Sequence, residues 1–308
     1  MKQKHLLALK DYAREEIDEI FALARDLKAR PGEYRDALRG KTLAMIFQKP
    51  STRTRVSFEV GMFQLGGHAL YLGADAIQLN RGETVADTAR VLSRYVDGIM
   101  ARVFAHQDVL DLARHGSVPV INGLSDLLHP CQALADYLTL LERRGSFRGL
   151  KIAYVGDGNN VCHELMMGAV KLGLTFAAAT PAGYEPNQLI VKSAAREAQK
   201  VGGRAPVIVA DPMEAVDGAD VVYTDTWTSM GQEAEADARR QAFEGFTVTP
   251  AMMAAAGSQA VFMHCLPAHR GEEVAPEVID GPQSVVFQEA ENRLHVQKAI
   301  LVLLMSGH

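Results

Sequence analysis

The sequence predicts an α/β protein of two domains, each a parallel β-sheet flanked by helices. Its 308 residues fit about two domains of ordinary size. Short runs rich in β-branched and apolar residues alternate with amphipathic helical patterns along the whole chain, which implies parallel sheets covered on both faces. The alternation pauses at a polar, glycine-containing stretch, residues 143–149, and then restarts. We therefore expect domains at 1–147 and 148–308.

The first half opens with a helix. Asp11 is expected to cap it, because the apolar residues that follow have helical spacing. Thr84, with Asp87 three residues later, predicts the start of another helix. The predicted strands of this half are Thr42–Phe47, Ala69–Leu72, Gly98–Val103 and Val118–Asn122, and its other helices are Thr54–Leu65, Thr84–Tyr95, Asp108–Arg114 and Gln132–Arg143.

The second half repeats the alternation. Its predicted helices are Val161–Leu172, Gln188–Lys200 and Ala290–Met305, and its predicted strands are Lys151–Val155, Phe176–Ala179, Val207–Ala210, Asp220–Thr224, Val261–His264 and Ser284–Phe287. Ligands of parallel sheets bind beyond the carboxyl ends of the strands. Polar residues in the loops after strands are therefore the first candidates for function.

Composition and charge exclude several classes of protein. The 32 basic and 37 acidic residues give a net charge of −5, without the basic stripe of a nucleic-acid binder. No run of 18 apolar residues exists to span a membrane. The start has no apolar signal core, and acidic residues follow at once, which predicts a cytoplasmic protein. The three cysteines are odd in number and far apart, as expected of reduced thiols.

The loop after the first strand has the composition of an anion site. Pro50 stops the strand, and Ser51 or Thr52 can cap the helix that follows. The N–H groups and dipole of a helix start attract anions, and arginine binds phosphate through paired hydrogen bonds. The alternative is a capped helix with solvated arginines, although extra cations at the positive end of a helix are hard to explain structurally.

Five segments together resemble the aspartate and ornithine transcarbamylase superfamily. Pro50–Glu59 resembles its carbamoyl-phosphate signature, and Leu128–Asp136 resembles its second signature. Asp225–Gly231 resembles the loop that marks the members acting on ornithine, and the closing elements are His264–Pro267 and Glu289–Arg293. The resemblance implies transfer of the carbamoyl group of carbamoyl phosphate to the side-chain amine of L-ornithine, giving L-citrulline and phosphate without a cofactor. It also implies a homotrimer or a multiple of trimers, and a final helix (about 289–308) that returns to the first domain.

The resemblance also implies a role for individual residues. Arg102, His129, Asp225 and Cys265 would be catalytic. Ornithine would be bound by Asn160, Asp225, Ser229 and Met230. Carbamoyl phosphate would be bound by Ser51, Thr52, Arg53, Thr54, Arg102, His129, Gln132, Cys265, Leu266 and Arg293, with Gln78 reaching in from a neighbouring subunit.

Other interpretations of these residues stay open from the sequence. His129 before Pro130 can be a plain helix cap, and Arg102 can be a surface arginine. Related enzymes that act on N-acetylornithine, succinylornithine or putrescine differ around Ser229. A non-catalytic relative would be expected to lack one of the catalytic residues, and none is missing.

A dehydrogenase and a zinc protein are less favoured. Val155–Asn160 partly resembles a dinucleotide fingerprint, but Val161 stands where its third glycine would fall. The next strand ends in Thr180-Pro181, not in the acid that would hold a ribose. No cysteine or histidine pair has the short spacing of a structural zinc site, so we expect no metal.

Overall fold

Two parallel sheets organise the chain. The computed structural model describes residues 2–74, 82–229 and 231–306. It divides into unit 1, Met1–Leu138 with Glu291–His308, and unit 2, Thr139–Ala290. The α/β class and the two-domain organisation are confirmed, whereas the boundary at 147/148 stays a prediction.

Unit 1 is a four-stranded sheet within the described residues, in the order β2-β1-β3-β4, and every pair is parallel. The strands are β1 Thr42–Phe47, β2 His68–Gly73, β3 Gly98–Arg102 and β4 Val120–Leu124. Helices bury apolar side chains against the sheet, as Val109 and Leu112 do against Ile99 and Ala101. The helices are α1 Arg14–Ala29, α2 Thr52–Gln64, α3 Val85–Leu92, α4 His106–His115 and the first part of α5 Pro130–Arg144, which passes into unit 2 at Thr139.

Unit 2 has five parallel strands in the described part of the chain, in the order β7-β6-β5-β8-β9. The strands are β5 Lys151–Val155, β6 Thr175–Ala179, β7 Val207–Val209, β8 Val221–Thr224 and β9 Val261–His264. The helices are α6 Asn160–Leu172, α7 Gln188–Val201, α8 Pro212–Val216, α9 Ala236–Ala242, α10 Pro250–Ala256, α11 Pro276–Ile279 and the start of α12 Val286–Met305.

Strand order fixes where each unit can bind a ligand. In unit 1 the chain leaves β1 for β2 on one side and then places β3 on the other side. In unit 2 it leaves β5 for β6 and later places β8 on the opposite side. Loops that diverge in this way leave a crevice at the carboxyl edge of the sheet, and ligands bind there. The relevant loops therefore follow β1 and β3 in unit 1, and β5 and β8 in unit 2.

The last helix returns to unit 1, as expected. The ammonium of Lys298 on α12 donates to Oε1 of Gln64 on α2 at 2.9 Å. Gly61 on α2 leaves room for the Lys298 stem, since a Cβ there would lie 3.3 Å from Lys298 Cγ. Lys28 on α1 donates to Oδ1 of Asn292 at 2.8 Å. These contacts hold α12 against the first two helices of the chain.

Two local predictions are wrong. Asp11 does not cap α1: it lies in a short 3₁₀ turn, Leu9–Asp11, and the helix begins three residues later, where Glu16 accepts the N–H of Ala13 at 3.0 Å. Ser284–Phe287 is not a strand. Ser284 forms a single bridge with Phe262, and α12 begins at Val286. A short apolar run fits a buried strand or a buried helix start equally well, so periodicity could not separate them.

Two glycines of the β5–α6 loop are explained by local packing. Gly156 has φ +138, and Gly158 donates its N–H to the carbonyl of Tyr184 at 2.9 Å. A Cβ on Gly158 would lie 2.2 Å from the backbone nitrogen of Pro186. The glycines that resemble a dinucleotide fingerprint thus allow the β5–α6 loop to pack closely against the backbone near Pro186, in place of a bound nucleotide.

Gly158→Ala should lower the free energy of unfolding by about 1–3 kcal/mol, because two backbones must separate to admit the methyl group. Urea unfolding followed by circular dichroism would measure this. Gly32→Ala is the matched control, since no atom lies within 4 Å of the added methyl. It should change stability by less than about 0.5 kcal/mol. Equal stability of the two variants would contradict the close packing at Gly158.

Candidate active site

The loop after β1 places the N-terminus of α2 at the crevice of unit 1. Ser51 caps α2, with its hydroxyl accepting from the N–H of Thr54 at 3.2 Å. Thr52, Arg53 and Thr54 form the first turn, where backbone N–H groups and the helix dipole attract negative charge. Arg53 is half-buried, and Thr54 is buried. This turn has the groups that an oxyanion such as phosphate requires.

Arg102 is the last residue of β3 and pairs in register with Phe47, the last residue of β1. Its carbonyl accepts from the N–H of Gln48, at 2.8 Å, where the loop to α2 begins. The side chain is only 5% exposed. Register therefore brings Arg102 to the same sheet edge as the Ser51 loop.

His129 lies beside α5 and is almost fully buried. Burial, together with the positive charges of Arg293 and Arg102, holds its pKa well below the ordinary value of 6.5. The ring is therefore neutral at pH 7 and has one N–H to donate. Gln132 lies three residues further on, with the His129 carbonyl accepting its backbone N–H at 3.1 Å.

Arg293 ties three helices of unit 1 together. From α12 its guanidinium donates to the side-chain oxygen of Gln132 on α5 and, at 3.2 Å, to the hydroxyl of Thr54 on α2. Gln132 in turn donates to Asp136 at 2.8 Å. Arg293 is 4% exposed, so its charge is largely withdrawn from water. Four of the predicted carbamoyl-phosphate residues, His129, Arg293, Gln132 and Thr54, thus interact with one another.

Asp225 follows β8 at the crevice of unit 2. Its Oδ1 accepts from the backbone N–H of Thr226 at 2.7 Å and from the thiol of Cys265 at 3.0 Å. Its Oδ2 accepts from the side-chain amide of Asn159 at 2.7 Å. The carboxylate is 7% exposed. This geometry places a carboxylate and a thiol together, as the resemblance implied.

The segment after β9 is held by buried carboxylates. Glu289 accepts from the N–H of His264 at 3.0 Å and from the hydroxyl of Tyr223 at 3.3 Å. His264 Nδ1 accepts from the N–H of Leu266 at 2.8 Å, and its Nε2 lies 3.3 Å from Glu273. Leu266 has φ +58, a left-handed conformation that is costly for leucine and recurs at functional sites.

One donor cluster of this region resembles a metal site in composition. Ligand atoms of Asp225, His264 and Cys265 lie within 4.8 Å of one another. Both ring nitrogens of His264 already face other groups, Leu266 N–H and Glu273, and the cluster has three donors where structural zinc takes four. The residues present do not fit a structural zinc ion.

The loop that follows Asp225 is anchored at its far end by a buried ion pair. Arg239 on α9 donates to Asp157 at 3.1 Å and to the carbonyl of Trp227 at 2.9 Å. Burial raises the pKa of Asp157 to about 6, although the guanidinium opposes that rise. The pair joins this loop to the β5–α6 loop, so the predicted ornithine residues lie on two connected segments.

Two further predicted ornithine residues, Asn160 and Ser229, lie on these segments. Asn160 is the first residue of α6, and Ser229 donates its N–H to Gln232 Oε1 at 3.2 Å. Gln78 and Met230 lie outside the described residues. Asn159, which contacts Asp225, was missed from the sequence. Its position just before a predicted helix indicates a helix cap, but nothing in the local sequence indicates a contact with Asp225.

The fold and these two groups of residues are those of a two-domain α/β protein with a candidate ligand site at the carboxyl edge of each sheet. A family model described as "Aspartate/ornithine carbamoyltransferase, carbamoyl-P binding domain" matches residues 4–142, and the corresponding "Asp/Orn binding domain" matches residues 148–304. The chain belongs to the aspartate/ornithine carbamoyltransferase family.

Individual relatives extend over the full chain. The ornithine carbamoyltransferase of Pyrococcus horikoshii is 60% identical, over 100% of this chain and 97% of its own length. The anabolic ornithine carbamoyltransferase of Pyrococcus furiosus is 59% identical, over 99% of this chain and 97% of its own. A solved structure of ornithine carbamoyltransferase from Pyrococcus furiosus has a TM-score of 0.95 and 59% identity, covering 99% of this chain and 98% of that one.

The His129 imidazole should titrate well below pH 6.5 in an NMR pH titration, with a His129→Asn variant to assign the signal. Because the unfolded chain takes up this proton near pH 6.5, the folded state should lose stability as pH falls below that value. A midpoint at the ordinary histidine value would contradict the burial and the two arginine charges described above.

Proposed function

We propose that this enzyme transfers the carbamoyl group of carbamoyl phosphate to the side-chain amine of L-ornithine, giving L-citrulline and phosphate in arginine biosynthesis. The observation that carries the proposal is the pair Asp225 and Cys265, a buried carboxylate and a half-buried thiol 3.0 Å apart at the crevice of unit 2. A carboxylate there selects a substrate whose side chain is an amine. Relatives of about 60% identity bear the name of this activity.

The phosphate group is assigned to the start of α2. Ser51, Thr52, Arg53 and Thr54 offer hydroxyls, backbone N–H groups and a guanidinium, and Arg102 adds a second guanidinium from the adjacent strand. Together these groups hold a dianion and stabilise charge on the departing phosphate. No covalent step on the protein is required, so positioning and electrostatics supply the catalysis.

The carbamoyl group is assigned to His129 and its neighbours. Neutral His129 donates to the carbonyl oxygen as that oxygen gains charge, and Arg102 reinforces it. The carbamoyl NH₂ group is bound by Gln132, whose orientation Arg293 fixes. The backbone of Cys265 and Leu266 also binds this NH₂ group.

Ornithine is assigned to unit 2. Asn160, Ser229 and Met230 bind its α-amino and α-carboxylate groups, and Asp225 and Cys265 face its δ-amine. The ammonium form must first release one proton to solvent, because only the neutral amine has a lone pair that can attack the carbamoyl carbon. The C–N bond then forms, the C–O bond to phosphate breaks, and the departing phosphate accepts the second proton from the nitrogen.

Assembly and location belong to the same proposal. We infer a homotrimer in which Gln78 of a neighbouring subunit contributes to the carbamoyl-phosphate site. Exposed apolar side chains in unit 1 support an interface there: Val56, Phe63, Leu70, Tyr71 and Tyr95 are 39–81% exposed. A cytoplasmic location is supported by the odd number and wide spacing of the three cysteines in the sequence, which fit reduced thiols. Among the described residues, no helix has the length and apolarity needed to cross a membrane.

Ornithine should outperform N-acetylornithine, succinylornithine and putrescine by about 10- to 150-fold in kcat/KM. Each alternative amine lacks a charged group that the site is built to bind, at a cost of about 1.5–3 kcal/mol. Carbamoylated product would be measured with each amine in turn, at fixed carbamoyl phosphate. Equal use of putrescine, or a preference for an acylated ornithine, would overturn the choice of substrate and leave the family assignment intact.

Arg53→Ala should lower kcat/KM for carbamoyl phosphate by about 10²-fold, the scale of losing one donor to the transition state. Arg55→Ala is the matched control on the same helix, because the Arg55 side chain turns to Glu59 at 3.0 Å and to the Tyr71 ring. It should stay within about twofold of the parent enzyme. Less than a fivefold loss in Arg53→Ala would show that the phosphate assignment is wrong.

A further inference from the structure

Both ends of the Asn159 side-chain amide form hydrogen bonds: the oxygen with the start of α6, and the nitrogen with Asp225. As the residue before α6, its Oδ1 accepts from the backbone N–H groups of Val161 at 2.9 Å and Cys162 at 3.2 Å. The hydroxyl of Tyr154 reaches the same oxygen at 3.3 Å. Backbone N–H groups can only donate, so the oxygen must face the helix. The NH₂ end is thereby fixed toward Asp225. The helix cap thus makes Asn159 the donor and Asp225 the acceptor in this contact.

The contact with Asp225 completes the set of donors around that carboxylate. Asn159 Nδ2 donates to Oδ2 at 2.7 Å, while Thr226 N–H and the Cys265 thiol donate to Oδ1. Donors on both oxygens hold the plane of the carboxylate in one orientation. Without the amide, Oδ2 would lose the only described donor that fixes it.

Several titratable groups surround Asp225 besides the Asn159 amide. The groups that face it from the packed elements are Tyr154 on β5, Asp157 in the loop after β5, and His264 and Cys265 at the end of β9. Asp157 is a second buried acid, and its charge is compensated by Arg239 at 3.1 Å. Asn159 is the neutral donor on the side of Asp225 that faces the start of α6.

We propose that Asn159 is a positioning residue for carbamoyl transfer: its amide holds the Asp225 carboxylate in the orientation that lets it pair with the ornithine amine and accept from Cys265. This inference rests on the function proposed above. It assigns to Asn159 a contribution to the acid side of the pH profile, beyond the capping of a helix.

Asn159→Asp separates the two roles. Aspartate caps a helix as well as asparagine does, so α6 should be retained. The donor is replaced by a second carboxylate at hydrogen-bond distance from Asp225, and two such groups share a proton instead of both ionising. We expect kcat/KM for ornithine at pH 7 to fall by about tenfold or more, and its acid limb to move up by about one pH unit.

Asn187→Asp is the matched control. Asn187 caps α7 in the same unit, its Oδ1 accepting from Leu189 N–H at 2.9 Å, so the same exchange is made away from Asp225. Its kinetics and acid limb should match those of the parent enzyme. Asn159→Ser, which keeps a capping oxygen and adds no charge, should also lose about tenfold with a smaller shift of the acid limb.

The full enzyme would be assayed for citrulline formation from pH 5.5 to 9, with thermal unfolding of each variant as a check on the fold. A folded Asn159→Asp enzyme whose acid limb coincides with that of Asn187→Asp would overturn the positioning role, even if its rate were uniformly lower. If Asn159→Asp fails to fold, the acid limb of Asn159→Ser is compared with that of Asn187→Asp instead, and coincidence of the two would again overturn the positioning role. Citrulline formation by the unmodified enzyme tests the proposed function separately.

Discussion

The reversal of strand order in each sheet is the constraint on which the functional residues depend. Parallel strands joined by crossovers leave one place per sheet where neighbouring loops diverge, between β1 and β3 in unit 1 and between β5 and β8 in unit 2. The register β1–β3 pairs Phe47 with Arg102, so the arginine and the loop to Ser51 end at one edge. Likewise β5 ends before Asn159, and its neighbour β8 ends before Asp225.

The two units carry opposite charge at these edges. In unit 1, burial of the ring and the charges of Arg293 and Arg102 lower the pKa of His129, and the two guanidiniums offer donors that suit an anion. In unit 2, Asp225 presents a carboxylate beside the Cys265 thiol, which suits an amine. Arg293 and Asp225 are held by hydrogen bonds that offset the cost of burying their charges. This division matches the charges of the two substrates proposed here, a phosphate dianion and a diamino acid.

Sequence periodicity predicted most strands and helices because buried parallel strands and amphipathic helices leave distinct patterns. It failed at Ser284–Phe287, where a short apolar run begins a helix, and at Asp11, where a 3₁₀ turn precedes α1. Strand order could not be predicted, since it depends on long-range pairing that no local pattern records. For the same reason Asn159 was missed: its cap is local, but its contact with Asp225 spans 66 residues.

Carbamoyl transfer is tested most directly by following the new bond between the carbamoyl carbon and the δ-nitrogen of ornithine. ¹³C-labelled carbamoyl phosphate and ornithine labelled with ¹⁵N at the δ position would be incubated with the enzyme and observed by ¹³C NMR. We expect the ¹³C signal of the citrulline ureido carbon to be split by coupling to the δ-nitrogen, together with release of phosphate. An unsplit carbon signal from hydrolysis products, or carbamoylation of the α-nitrogen, would contradict the proposed transfer.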